Sequence, residues 1–301
     1  MTTAATFSVE RSLDHVYADA DGRALHVDLY LPRDATDPPP LVVWLHGGGW
    51  RAGDRRSAPD LSARFASRGI AMASIDYRLS RDAVFPAQLH DVKLALRWLR
   101  DHAAQHGFDA RRSGLWGVSA GGHLAALAAL TADASLDPAV SAVVVAYAPI
   151  DFLAMDAQRD SQRIAQEDPA AFALPPGART GDADSYESRL IGAPIGERPD
   201  LARAASPLAY VRKVASPFMI VHGLSDRAVP VKQSVELYQA LEQRGNHVQL
   251  RLLDGLGHGF LERDDPRAAP VFDDIEAFFR LHLVMRDSMN HLTLPLKVAD
   301  V

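Results

Sequence analysis

The chain has 301 residues, 48% hydrophobic and 23% charged, an ordinary globular composition long enough to bury a closed core without covalent staples. Lys and Arg number 32 against 38 Asp and Glu, and the net charge of −6 provides no basic footprint for nucleic acid or an anionic membrane. There is no cysteine, so thiol catalysis, disulfides and thiolate metal sites are excluded. The first residues lack the basic start and apolar core of a secretory signal, and no apolar run reaches 18 residues; the expectation is a soluble, cytoplasmic protein.

Apolar periodicity predicts strands over residues 7–18 and 23–31, the second alternating Leu25, Val27, Leu29 and Leu31 with polar neighbours. After Pro38-Pro39-Pro40, the continuous apolar run 41–45 suits a strand buried on both faces of a parallel sheet, and 70–75 is a similar run. Residues 87–102 place Leu89, Val92, Leu96 and Leu99 on one helical stripe. A short strand at 114–118 leads into an Ala/Leu-rich helix at 120–130, and a β-branched strand follows at 140–146. A strand at 217–221, a helix at 231–244, a strand at 248–253 and a helix at 271–283 complete the series. Eight strands with intervening helices imply an α/β fold with a mostly parallel, doubly wound sheet and helices on both faces. Residues 152–205, rich in Asp, Arg, Ala, Pro and Gly, break the rhythm. The stretch is too long for a structureless loop in a compact domain, and is predicted as a helical cap inserted over the sheet's C-terminal edge within one domain, 1–301. The tail 284–301 carries Leu292-Thr293-Leu294-Pro295-Leu296-Lys297-Val298, which fits a disordered terminus, an edge strand, or pairing with a second subunit in a homo-oligomer.

Gly117-Val118-Ser119-Ala120-Gly121 matches G-x-S-x-G between a strand and a helix, the context a nucleophile elbow requires. Such a turn exposes the Ser119 hydroxyl at a helix N-terminus, where a developing anion is favoured. His46-Gly47-Gly48-Gly49-Trp50 follows the buried strand 41–45, and three glycines in a row let main-chain N–H groups approach a reacting carbonyl. This is the HGGG loop of lipases and esterases, and the expected oxyanion donors are Gly48, Gly49 and Ala120, with Gly47 and Trp50 as further substrate contacts. His46 reads as a structural hydrogen-bonder. Among 12 histidines, His258 stands in the flexible Gly255-Leu256-Gly257-His258-Gly259-Phe260 loop after the last strand, at the same sheet edge as Ser119, and is the candidate base. His222 reads as a loop anchor, His123 as packing beneath the elbow, and His90 and His102 as belonging to a distant helix. Asp226 lies just past the strand 217–221 and is the candidate acid; Asp254 is its rival. The order Ser119, Asp226, His258 is the one this fold imposes.

With these residues in view, HGGGW (46–50), IDYRLS (75–80), FPAQLHDVKLALRWLR (85–100), GVSAGG (117–122), HGLSDRAVPV (222–231) and GLGHGF (255–260) resemble the bacterial α/β-hydrolase esterases named for bifunctional feruloyl and acetyl-xylan esterases, within the wider hormone-sensitive-lipase-like set. The resemblance runs from about residue 20 to residue 283 and implies the same three residues and the same glycine loop. Val118 departs from the Asp or Glu that many relatives carry there, which bears on substrate preference. Asp76 and Asp91 fall in family-like motifs, with structural roles expected for both. The resulting expectation is a serine carboxylesterase acting on short-chain, carbohydrate or aryl esters, with no cofactor and no metal, a small-molecule ester as its partner, and neither nucleic acid nor membrane. An arylformamidase-type amide hydrolase shares these motifs, and a non-catalytic protein on the same fold is the third reading. The polar cap predicts short acyl groups.

Overall fold

Strands β1 (Val9–Ala20) and β2 (Arg23–Pro32) form an antiparallel hairpin closed by Asp21-Gly22, whose φ angles of 57° and 81° fit a two-residue turn matched to strand twist. The computed structural model describes residues 6–132, 140–164, 166–212, 215–263 and 265–285. From β2 the sheet continues through β3 (Pro40–Leu45), β4 (Ala71–Ile75), β5 (Asp109–Val118), β6 (Ala142–Ala146), β7 (Phe218–Gly223) and β8 (Val248–Leu253) in the order β1-β2-β4-β3-β5-β6-β7-β8. Only β2 runs against the rest, antiparallel to both β1 and β4; every pair from β4 to β8 is parallel. This is the eight-stranded α/β-hydrolase sheet that the alternating signals predict.

Parallel strands covered on both sides must be apolar on both sides. In β3, Leu41, Val43 and Leu45 enter one core, while Val42 and Trp44 enter the other. The first core is roofed by α2 (Ala87–His106), α3 (Ala120–Leu130) and α7 (Val231–Gln243). The second is closed by the short α1 (Leu61–Arg64) and by α8 (Ala269–Phe279), which contributes Val271, Phe272, Ile275, Phe278 and Phe279. All residues of α3 are buried, so its Ala/Leu composition has no polar face to show.

Two elements outrun their sequence signals. Strand β5 begins at Asp109, because its first half carries Arg111 and Arg112, both ion-paired to Asp109, and reads as polar. Helix α2 extends to His106 and stops at Gly107, whose left-handed φ of 77° lets its N–H reach the Ala103 carbonyl.

Between β6 and β7 the inserted stretch contains three short helices, α4 (Met155–Ser161), α5 (Tyr186–Ile191) and α6 (Pro199–Ala204). Isolated β-bridges join Phe172 to His258 and Ala173 to Arg227, so the insertion lies across the loops that follow β7 and β8. No helix among the described residues is long and apolar enough to cross a membrane. The tail pattern at 292–298 lies outside the described residues.

Candidate active site

Ser119 sits between the end of β5 and the start of α3, with φ 52° and ψ −120°. A left-handed φ is costly for a residue with a side chain, and the turn is held by the Ser119 N–H donating to the Ala146 carbonyl at 2.8 Å and by the His123 N–H returning to the Ser119 carbonyl at 3.0 Å. The backbones around the elbow are so close that a Cβ on Gly117 would overlap the Gly121 carbonyl, and a Cβ on Gly121 would overlap the carbonyls of Leu45 and His46. The two glycines of the motif are therefore dictated by close approach.

The loops after β7 and β8 bring the other two residues to this point. His258 Nε2 lies 2.9 Å from Ser119 Oγ, and His258 Nδ1 lies 2.7 Å from Asp226 Oδ2. Donation from Nδ1–H to the carboxylate leaves the Nε2 lone pair facing the serine hydroxyl. All three groups are buried. Burial works against charge on both the imidazole and the carboxyl, yet their mutual attraction prevails: His258 is raised above its ordinary value and Asp226 is held far below the usual carboxylate range. Asp226 is further fixed by the N–H groups of Ala228 and Val229, at 2.8 and 2.9 Å from Oδ1. Asp254, by contrast, is exposed.

His222 does more than anchor a loop. Its Nε2 lies 3.1 Å from both Asp226 Oδ2 and the Val229 carbonyl, and its Nδ1 lies 2.7 Å from Ser234 Oγ. Two acceptors facing Nε2 require the proton there, so His222 adds a hydrogen bond to the carboxylate that holds His258. His123 packs beneath the elbow, receiving the Trp50 indole N–H at 3.2 Å and contacting the Ala205 carbonyl through Nε2; burial lowers it to about 4, so it stays neutral. His46 stacks on Tyr77 with ring centroids 4.2 Å apart. Asp91 is fully buried against Arg78, and Asp76 binds Arg55.

In the glycine loop, Gly48 has φ 105°, and a Cβ there would overlap the Ala52 carbonyl. The N–H groups of Gly48, Gly49 and Ala120 donate to no other main-chain group among the described residues, and all three residues line the cavity above Ser119. Free donors grouped beside a nucleophile can stabilise an oxyanion, each by about 3 kcal/mol. Trp50, in a left-handed conformation with φ 56°, is buried and shares this wall. Gly47 is placed differently: it is buried behind the wall, and its N–H is taken by the Glu262 carboxylate.

The cavity has a volume of about 370 Å3 and is lined from the inserted stretch by Phe172, Leu174, Tyr186 and Glu187. Three carboxylates around it were not singled out from the sequence. Glu262 faces both the glycine loop and His258, and burial raises its pKa. Asp168, in the cap, receives the Gly257 N–H and the Arg263 guanidinium, each at 3.0 Å, and thereby ties the cap to the His258 loop; these donors overcome burial and hold it at about 2. Glu187 is the third. Each is a charged residue in a segment without periodicity, and only Glu262, close behind His258 in the chain, carried any positional hint. Among the described residues no group of three or more His, Asp or Glu is arranged to hold a metal ion.

A twisted parallel sheet carrying Ser, His and Asp on the loops at its C-terminal edge defines a hydrolase of the α/β class. Residues 27–241 match the family model described as BD-FAE, and the chain belongs to that family. It is 33% identical over 272 residues to Esterase LipC of Mycobacterium tuberculosis, covering 86% of this chain and 62% of that protein. It is 30% identical over 233 residues to the probable carboxylic ester hydrolase LipM of the same organism, covering 74% of this chain and 50% of that protein. The chain thus spans between half and two thirds of the length of these relatives. Among solved structures, a truncated carbohydrate esterase from gut microbiota aligns with a TM-score of 0.76 at 27% identity, covering 92% of this chain and 97% of that one.

Proposed function

We propose that this protein is a serine carboxylesterase that cleaves short-chain, carbohydrate or aryl esters through an acyl-enzyme, with Ser119, His258 and Asp226 as its catalytic triad and Gly48, Gly49 and Ala120 as its oxyanion donors. The observation that carries the reading is the unbroken relay from Ser119 Oγ through His258 to Asp226, at 2.9 and 2.7 Å. Ser119 Oγ attacks the ester carbonyl carbon while His258 Nε2 takes the hydroxyl proton, and the carbonyl oxygen becomes an anion facing the main-chain N–H groups. Collapse of the tetrahedral adduct breaks the ester C–O bond, and His258 returns the proton to the departing alcohol. Water then repeats the sequence on the acyl-serine, restoring the enzyme and releasing the acid. The named activities of LipC and of the gut carbohydrate esterase, each said of those proteins, agree with this chemistry.

The test is hydrolysis of p-nitrophenyl acetate, a feruloyl ester and N-formylkynurenine by the purified protein, alongside Ser119→Ala. Ester turnover that falls by roughly four orders of magnitude in the folded variant is the expected result. A fluorophosphonate should add its mass at Ser119 in the wild type and not in the variant. Turnover of the formamide alone, or undiminished activity in Ser119→Ala, would overturn the reading.

A further inference from the structure

Glu187 is a carboxylate at the wall of the same cavity, 7% exposed, on the cap helix α5. A buried carboxylate is costly unless something pairs with it. The other buried acids among the described residues are paired: Asp91 with Arg78, Asp28 with Arg55, Asp168 with Arg263, Glu276 with Arg280, and Asp226 with His258. Glu187 makes no hydrogen bond or ion pair to any other described residue, and its own main-chain N–H is its single hydrogen-bonding neighbour. Desolvation accordingly lifts it to about 7, although the charge of Arg159 acts in the other direction. It also faces a second recess of about 220 Å3, reached past Arg51, Leu174 and Tyr186, so it stands at the neck between that recess and the space above Ser119.

We infer that Glu187 is a specificity-determining residue, and that the cavity selects esters bearing a free hydroxyl, which the Glu187 carboxyl receives as its missing hydrogen-bond partner. The inference rests on the esterase reading of the cavity and adds to it the feature of the substrate that is recognised. A neutral donor suits the site better than a cation. Arg51 and Arg263 line the same cavity, so an ammonium would enter against two guanidinium groups. Tyr186, carrying the Arg51 guanidinium 4.9 Å above its ring, and Phe172 line the same cavity and give it aromatic surface beside the carboxyl. An analogue lacking the hydroxyl would cover the carboxyl with carbon and leave it dry and unpaired, which is how polar pockets reject deoxy substrates.

Matched pairs test this. The wild type is assayed on p-nitrophenyl butyrate against p-nitrophenyl 3-hydroxybutyrate, and on propyl acetate against glycerol 1-acetate, the first pair placing the hydroxyl on the acyl side and the second on the alcohol side. The expected result is a kcat/KM preference of about 10- to 100-fold for the hydroxylated member of at least one pair, the range of a strong hydrogen bond. That preference should fall below about threefold in Glu187→Leu, and Glu187→Gln should keep part of it, because a carboxamide still accepts. Should Glu187→Leu not fold, as its melting curve will report, the partial loss in the near-isosteric Glu187→Gln decides. Equal rates within both pairs in the wild type, or a preference that survives both variants, would overturn the assignment while leaving the esterase reading standing. A preference for acetylcholine over 3,3-dimethylbutyl acetate would overturn it in favour of a cation site. Failure to cleave any of these esters would instead sink the esterase reading itself.

Discussion

In the proposed mechanism His258 can act as a base only while its imidazole is neutral, and the adjacent Asp226 charge makes it hold a proton to higher pH than a free histidine. The acid limb of kcat/KM should therefore lie above 6.5, with activity rising as pH climbs through it, the opposite sense to the ion pair, which is complete only at lower pH. Asp226→Asn removes the charge that raises His258 and the acceptor that fixes its tautomer. Its acid limb should move downward in pH while kcat drops by about four orders of magnitude. Asp254→Asn, altering an exposed side chain, should stay within about twofold of wild type. A pH–rate profile of both variants checks the pair of expectations, and a reversed outcome would move the acid role to Asp254. At this scale the sequence spoke clearly where chemistry is local. Ser119 announces itself through glycines two positions away on either side, whereas Glu187 and Asp168 acquire their meaning from partners or cavities that only the folded cap assembles. His222 was visible as a residue at a strand end, yet its bond to Asp226 depends on how the following loop curls back through Val229.

Among the elements, the elbow is the least tolerant of change. A Cβ on Gly121 would meet main-chain carbonyls of the neighbouring β3 loop, which have no flexible end to move aside. Gly121→Ala should cost about 3 kcal/mol or more, or abolish recovery of folded protein. Gly196→Ala, with nothing within 4 Å and no left-handed backbone to strain, should be near neutral. Thermal melting of the two variants side by side makes the comparison. The same elements show why strand and helix signals differ in legibility. Runs such as 41–45 and 142–146 are apolar on both faces and could be read directly, while the Arg-rich first half of β5 hid its pairing. The stretch 152–205 offered composition without period, so the sequence marked a break in rhythm there but not the placement of α4, α5 and α6.

For the molecule as a whole, a protein of net charge −6 already carries many acids, and one of them stands largely buried in a cavity wall without a paired cation. Glu187 titrates near 7 in the folded chain against an ordinary value of 4.5, so the unfolded chain gives up this proton first, and stability declines as pH rises from about 4.5 to 7. The penalty at alkaline pH is on the order of 3 kcal/mol. Glu187→Gln should therefore melt several degrees above wild type at pH 8 and alongside it at pH 5; equal melting at both values would contradict the burial of the charge. The mostly parallel, doubly wound sheet followed from the alternation of strands and helices along the chain, whereas the order β1-β2-β4-β3-β5-β6-β7-β8 is set by which strands pair in the fold and was not legible.

The cap is bolted to the machinery it covers. Phe172 donates its N–H to the His258 carbonyl, Gln162 reaches the Asp226 carbonyl at 2.7 Å, and Asp168 holds the Gly257 N–H. Swinging such a cover aside would pull His258 and Asp226 away from Ser119. Substrate must then enter through the standing mouth of the cavity, and an oil–water boundary has no shutter to throw open. Velocity against tributyrin concentration should climb along a smooth hyperbola straight through the solubility limit, with no surge once droplets form.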